Sequence, residues 1–141
     1  SLNFLGENRK MKKIIVIVLF TINNIAVFGQ SRLGSTATDI KSEFYESTYE
    51  QKSGYDKDND YYVNITTEKA YVTYYFNSEK ICYLTIIAPK NQGALNFYVE
   101  NYNNQYVIVS SKQWKMYSED GIANIELIYP ESGGYFFRWS N

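Results

Sequence analysis

Between Tyr61 and Ala88, apolar and polar side chains alternate with a period of two through three consecutive runs. The turns joining these runs, at 67–69 and 77–79, are too short to return the chain except as an antiparallel neighbour. Tyr61, Val63 and Ile65 oppose Tyr62, Asn64 and Thr66, and Val72, Tyr74 and Phe76 oppose Tyr71, Thr73 and Tyr75. In KICYLTIIA the same alternation sets Cys82, Leu84, Ile86 and Ala88 on the face to be buried, with Ile81, Tyr83, Thr85 and Ile87 on the other. A weaker strand is expected at Tyr49–Lys52. A chain of this pattern must build an antiparallel meander with one face in need of cover.

Two helices can supply that cover. Thr36 is placed to cap a first helix, with Asp39 at its third position, and Ala37, Ile40 and Phe44 fall on one stripe of a helix running to about Ser47. After Pro89, Asn91 caps a second helix whose Leu95, Tyr98, Val99 and Tyr102 have i, i+3, i+4, i+7 spacing, and Asn103-Asn104 suits its exit. Four more strands are expected, at Tyr106–Ser110, Gln113–Tyr117, Ile122–Tyr129 and Tyr135–Trp139, with hairpin signals at Asp120-Gly121 and at Pro130 with Gly133-Gly134. The fold class is α+β, with two helices on one face of a mostly antiparallel sheet of about six to eight strands, in the order α-βββ(β)-α-βββ(β). The two halves share this element order without a residue-level repeat.

Residues 11–29 read as a signal peptide. Lys12 and Lys13 form a basic start, Ile14–Phe20 is an unbroken apolar run, and Gly29 is a small residue at the cleavage point. Thr21, Asn23 and Asn24 interrupt the run short of the roughly 20 residues that span a bilayer, so no retained membrane span is expected. Residues 1–10 are expected to be translation upstream of the start at Met11, and residues 30–141 one α+β domain. The expected location is periplasmic or extracellular, and soluble once the signal is cleaved. Four of the 14 basic residues and one of the 15 acidic ones precede Gln30, leaving 10 against 14 and a formal charge of −4. No basic stripe remains to neutralise phosphates, so nucleic acid is not an expected partner.

The segment LGSTATDIKSEF, just after the leader and ahead of a strand meander, resembles the start of repeats in the β-lactamase-inhibitor-protein-like superfamily and its small outer-membrane assembly lipoproteins. Gly34, Thr36, Ile40 and Phe44 carry the likeness. The chain is also similar to small exported bacterial proteins of unassigned role. It lacks the lipid-attachment cysteine of the assembly lipoproteins and the paired cysteines of the inhibitor, so the resemblance implies neither anchoring nor inhibition here.

The chemistry available is narrow. Histidine is absent, which removes the commonest general base, the usual triads and most zinc sites. Cys82 is the only cysteine, so no intrachain disulfide can form; a buried thiol is the first reading, an intermolecular disulfide or reactive thiol the second. Glu43, Glu46, Glu50 and Glu100 are the carboxylates that could pair as acid and base in a small hydrolase of envelope polymers, against the plainer reading of solvated faces. No enzyme and no cofactor are expected. Asp56, Asp58 and Asp60 alternate as at the start of an EF-hand loop, which gives a weak calcium site or an ordinary polar turn, because Tyr61 replaces the loop glycine and Thr67 its bidentate Glu. Asn64-Ile65-Thr66 matches a glycosylation acceptor, but within a strand.

Tyrosine is the surplus. After the leader there are 22 aromatic residues in 112, more than one inner face can hold. If Val63, Val72, Tyr74, Phe76, Cys82, Trp114, Met116, Ile125, Leu127, Phe137 and Trp139 pack beneath the helices, alternation sends Tyr62, Tyr71, Tyr75, Tyr83, Tyr117 and Phe136 to the opposite face. Such rings stabilise a sheet through cross-strand pairs, and they can also bind a partner. The function expected is an exported, non-catalytic binding domain that uses this aromatic-rich face, with Asn64, Thr73 and Thr85 as its polar groups. Ile81 and Ile87 on that face favour a protein partner, or another copy of the chain, over a glycan.

Overall fold

Thr36 caps the first helix as its position predicts: its hydroxyl accepts a hydrogen bond from the Asp39 N–H at 3.1 Å. Helix α1 (Ala37–Phe44) buries Ala37, Ile40 and Phe44. It stops before Ser47 because Ser47 turns back on the Phe44 carbonyl, donating to it from both its N–H, at 3.1 Å, and its hydroxyl, at 2.8 Å. The computed structural model describes residues 32–141. The signal peptide expected at residues 11–29 and the segment before it lie outside the described residues.

Four strands follow, β1 (Glu50–Tyr55), β2 (Tyr61–Thr66), β3 (Ala70–Phe76) and β4 (Cys82–Pro89). Helix α2 (Gln92–Gln105) then leads into β5 (Val107–Ser110), β6 (Gln113–Ser118), β7 (Gly121–Ile128) and β8 (Phe136–Ser140). All eight form one antiparallel sheet in the order β1-β2-β3-β4-β8-β7-β6-β5. Each half is thus a helix and a four-strand meander, and the last strands of the two meanders meet at the centre. Read inward from either edge, the order is the same.

Both helices cover one face. Phe44 of α1 meets Tyr74 of β3 with ring centroids 6.5 Å apart. On α2, Asn91 caps the start by accepting from the Ala94 N–H at 2.9 Å, and the predicted stripe buries Leu95, Tyr98 and Tyr102. Tyr102 is the hub of that half: its ring lies 5.0 Å from Phe137 and 5.6 Å from both Trp114 and Trp139. The two buried indoles are satisfied. Trp139 Nε1 donates to the Tyr102 hydroxyl at 3.2 Å, and Trp114 Nε1 to Asn103 Oδ1 at 2.8 Å.

One expectation fails, on the central strand β4. Tyr75 pairs with Leu84 but Phe76 pairs with Cys82, so Tyr83 is the extra residue of a β-bulge and the alternation reverses phase across it. Cys82, Thr85, Ile87 and Pro89 are buried beneath the helices, whereas Leu84, Ile86 and Ala88 fall on the open face. Thr85 and Ile87 are therefore withdrawn from that face, and Leu84, Ile86 and Ala88 from the core. Hydropathy could not choose, because both phases of CYLTIIAP are apolar. The choice is made upstream: the Cys82 N–H donates to the Ser35 carbonyl at 2.8 Å, and the Cys82 carbonyl accepts from the Gly34 N–H at 2.8 Å, which tie the strand's start to the entry of α1. Thr85 is accommodated inside with its hydroxyl 3.7 Å from the Cys82 sulfur. Burial pushes the Cys82 thiol above its ordinary pKa, the environment of an unreactive cysteine.

The bulge makes a simple prediction. Deleting Tyr83 joins Cys82 directly to Leu84 and keeps Cys82, Thr85 and Ile87 inside, so the variant is expected to fold with a thermal midpoint within a few degrees of the parent. A loss of cooperative unfolding in that deletion would mean that the extra residue is itself needed to set the register.

Candidate functional site

Among the described residues, both helices lie on one side of the sheet and no element covers the other. Its middle is the outward row of β4. Across each neighbouring pair the register is Tyr62–Tyr75–Leu84–Ser140, then Asn64–Thr73–Ile86–Arg138, then Thr66–Tyr71–Ala88. Leu84, Ile86 and Ala88 therefore form an apolar stripe along the central strand, half-buried by the side chains on either side. Phe136 is the outward residue at the start of β8, paired with Ile128 of β7, at the same end as Ala88.

Five of the six aromatic residues expected on this face flank the stripe. Tyr62 and Tyr75 are cross-strand partners with ring centroids 6.5 Å apart and planes inclined by 53°. Tyr83 projects at the bulge beside them, 41% exposed. Tyr71 and Phe136 stand at the far end, where the Lys90 ammonium lies 5.2 Å from the Tyr71 ring centre. Tyr117 is apart: it lies on β6, where it pairs with Ile122 of β7, three strands from β4, or about 14 Å. The six thus form one cluster of three, a pair beyond the stripe, and an outlier. Polar groups border the band, with Asn64 Nδ2 donating to Thr73 Oγ1 at 2.8 Å and Arg138 pairing with Glu126 at 2.9 Å. That first bond engages the side-chain amide of the glycosylation motif.

Of the two readings open for Asp56, Asp58 and Asp60, a weak calcium site or an ordinary polar turn, the structure gives the geometry of a turn held by its own aspartate. Asp56 Oδ1 accepts from the backbone N–H groups of both Asp58 and Asp60 at 2.9 Å, and Asn59 adopts a left-handed backbone with φ 64°. The carboxylate is spent on holding the turn. Among the described residues no three acidic, histidine or cysteine side chains gather as a metal site would require. The turn does stand close to the tyrosine cluster. Burial first, then the negative charges of Asp56 and Asp60, raise the phenol pKa values of Tyr75 and Tyr83. This end of the face therefore combines exposed rings with a negative field.

The carboxylates considered for hydrolysis are dispersed over three elements and their flanks. Glu43 is engaged by Arg32, whose Nε donates to Oε2 at 2.7 Å; Glu50 pairs with Lys52 at 3.2 Å; Glu46 is exposed after α1, and Glu100 is exposed on α2.

The residues that sequence reasoning missed are Leu84, Ile86 and Ala88. No local signal marked them, because the polar residue of the strand, Thr85, pointed to the opposite phase and is instead buried. Among the described residues no helix is long and apolar enough to cross a membrane. No protein-family model matches the chain, and neither the curated proteins nor the solved structures yield a match.

Proposed function

We propose that this chain is an exported, non-catalytic interaction domain that holds a protein partner on the open face of its sheet. The observation that carries the reading is the stripe of Leu84, Ile86 and Ala88 on the central strand, flanked by Tyr62, Tyr75 and Tyr83 at one end and Tyr71 and Phe136 at the other. An apolar centre with tyrosines around it and a polar border is the anatomy of a protein interface. Sugar stacking would need coplanar rings, and the 53° between Tyr62 and Tyr75 does not offer them. The negative field of Asp56 and Asp60 beside the tyrosine cluster favours a partner that brings a lysine or arginine to that end, where ring faces and carboxylates both attract a cation.

The test uses the full chain as bait, with sedimentation first establishing whether it pairs with itself. Ile86→Asp and Tyr83→Ala are expected to weaken partner capture more than tenfold, as loss of a hot spot of about 2 kcal/mol would, while Tyr117→Ala captures as well as the parent. Equal capture by all four folded proteins would remove the sheet face from consideration.

A further inference from the structure

We infer that the groove between α2 and β7, on the helix-covered side of the molecule, binds a neutral oligosaccharide. It encloses about 480 Å³, within the range of small-molecule sites. One wall is a row on α2: Gln92, Asn96, Glu100 and Asn104 follow one another at four-residue intervals, and all four line the groove. Four residues advance a helix by about 6 Å, close to the length of one sugar unit in an extended chain. Asparagine is a poor helix former, and two of the four wall residues are asparagines exposed on this one side of α2.

The wall is chemically suited to hydroxyl groups. Gln92 Nε2 donates to Asn96 Oδ1 at 3.0 Å, which orients both amides and leaves the Gln92 oxygen as an acceptor next to the Asn96 nitrogen as a donor. Adjacent acceptor and donor match a vicinal pair of sugar hydroxyls. Opposite this wall stands Tyr129, 52% exposed, its ring positioned by Tyr135 at 6.2 Å and by the Lys112 ammonium 5.0 Å from its centre. A steadied, exposed ring is a platform for the C–H face of a pyranose, and the floor at Leu127 is apolar. An extended peptide would need a free strand edge for its main chain, but both edges of β7 are occupied, by β6 and β8. The Glu100 carboxylate disfavours anionic sugars.

This site lies across the sheet from the interaction face and does not depend on it. The test titrates the isotope-labelled full chain with chitotetraose, cellotetraose and maltotetraose to millimolar concentration, with a neutral hexapeptide as comparison. At least one tetrasaccharide is expected to shift the side-chain amide signals of Gln92, Asn96 and Asn104 and the backbone signal of Tyr129. Tyr129→Ala and Asn96→Leu, both at exposed positions, are each expected to weaken that binding at least tenfold; if Tyr129→Ala disturbs the fold, Asn96→Leu decides. Ile86→Asp on the opposite face should leave the saccharide shifts unchanged. The inference is overturned if no saccharide moves these signals, if the folded variants bind as the parent does, or if only the peptide moves them.

Discussion

Tyr102→Ala is expected to leave the domain unfolded, or nearly so, at room temperature. The side chain is completely buried, and its ring is shared among Tyr98, Tyr106, Trp114, Phe137 and Trp139, all within 6.0 Å centre to centre. Truncating a buried aromatic residue costs about 3–5 kcal/mol through lost burial and the cavity it leaves. Here the change also removes the acceptor of the buried Trp139 indole, and an orphaned donor adds about 1–3 kcal/mol. Against a total stability of about 5–15 kcal/mol for a domain of this kind, the two losses together are decisive. Tyr102→Phe separates them, because it keeps the volume and removes only the acceptor, and its cost should be the smaller figure alone. Urea unfolding followed by tryptophan fluorescence reads both variants, since Trp114 and Trp139 are the neighbours in question. A Tyr102→Ala protein that unfolds cooperatively with less than about 2 kcal/mol lost would show that the core re-forms around α2 without its hub.

That hub was legible in the sequence as one member of a helical stripe, but its rank was not. The spacing of Leu95, Tyr98, Val99 and Tyr102 identifies a helix face, and Asn91 identifies where the helix begins. Neither says that Trp114, Phe137 and Trp139 converge on one ring, because that follows from β8 lying beside both β4 and β7. Strands joined by tight turns reveal their neighbours; the β4–β8 contact joins the ends of two meanders across 50 to 56 residues of chain, and no local pattern encodes it.

The open face shows the same division. Its outer strands were readable because Tyr62, Asn64, Tyr71, Thr73 and Tyr75 alternate against strongly apolar partners. On β4 the alternation carried no such contrast, and one inserted residue at Tyr83 exchanged the two sets. The proposed interface consequently gained Leu84, Ile86 and Ala88 and lost Thr85 and Ile87. A site built from six tyrosine and phenylalanine rings became an aliphatic stripe with rings at its ends. The Asp56–Asp60 turn carried two readings in the sequence for a related reason: alternate aspartates are suited both to binding a cation and to capturing their own backbone N–H groups, and Asp56 is seen in the second use.

The absence of histidine and the burial of tyrosine together give this domain an asymmetric response to pH. No side chain of ordinary pKa changes charge between about pH 5 and 8, so stability should be nearly flat there. The alkaline limb is different. Burial raises Tyr98 and Tyr106 to about 12, raises Tyr102 well above its ordinary value despite the opposing hydrogen bond from Trp139, and raises Tyr74 as well. In the unfolded chain these phenols ionise near pH 10. A pKa raised by folding means that the folded state holds the proton more tightly, so the stabilisation is complete below pH 10 and is lost as pH climbs toward the folded values. Each such group removes about 1.4 kcal/mol per pH unit in that window, and four of them acting together remove about 5 kcal/mol per unit. The domain is therefore expected to unfold cooperatively between about pH 10 and 11.5 rather than to lose structure gradually. Circular dichroism and phenolate absorbance recorded on the same sample test this, because the buried phenols can ionise only when the core opens: a late step in absorbance should coincide with the loss of dichroism. If instead all 15 tyrosines ionise by pH 12 with the dichroism intact, the rings around Tyr102 are reached by hydroxide without unfolding, and the packing described for α2 against β6 and β8 is looser than its distances state.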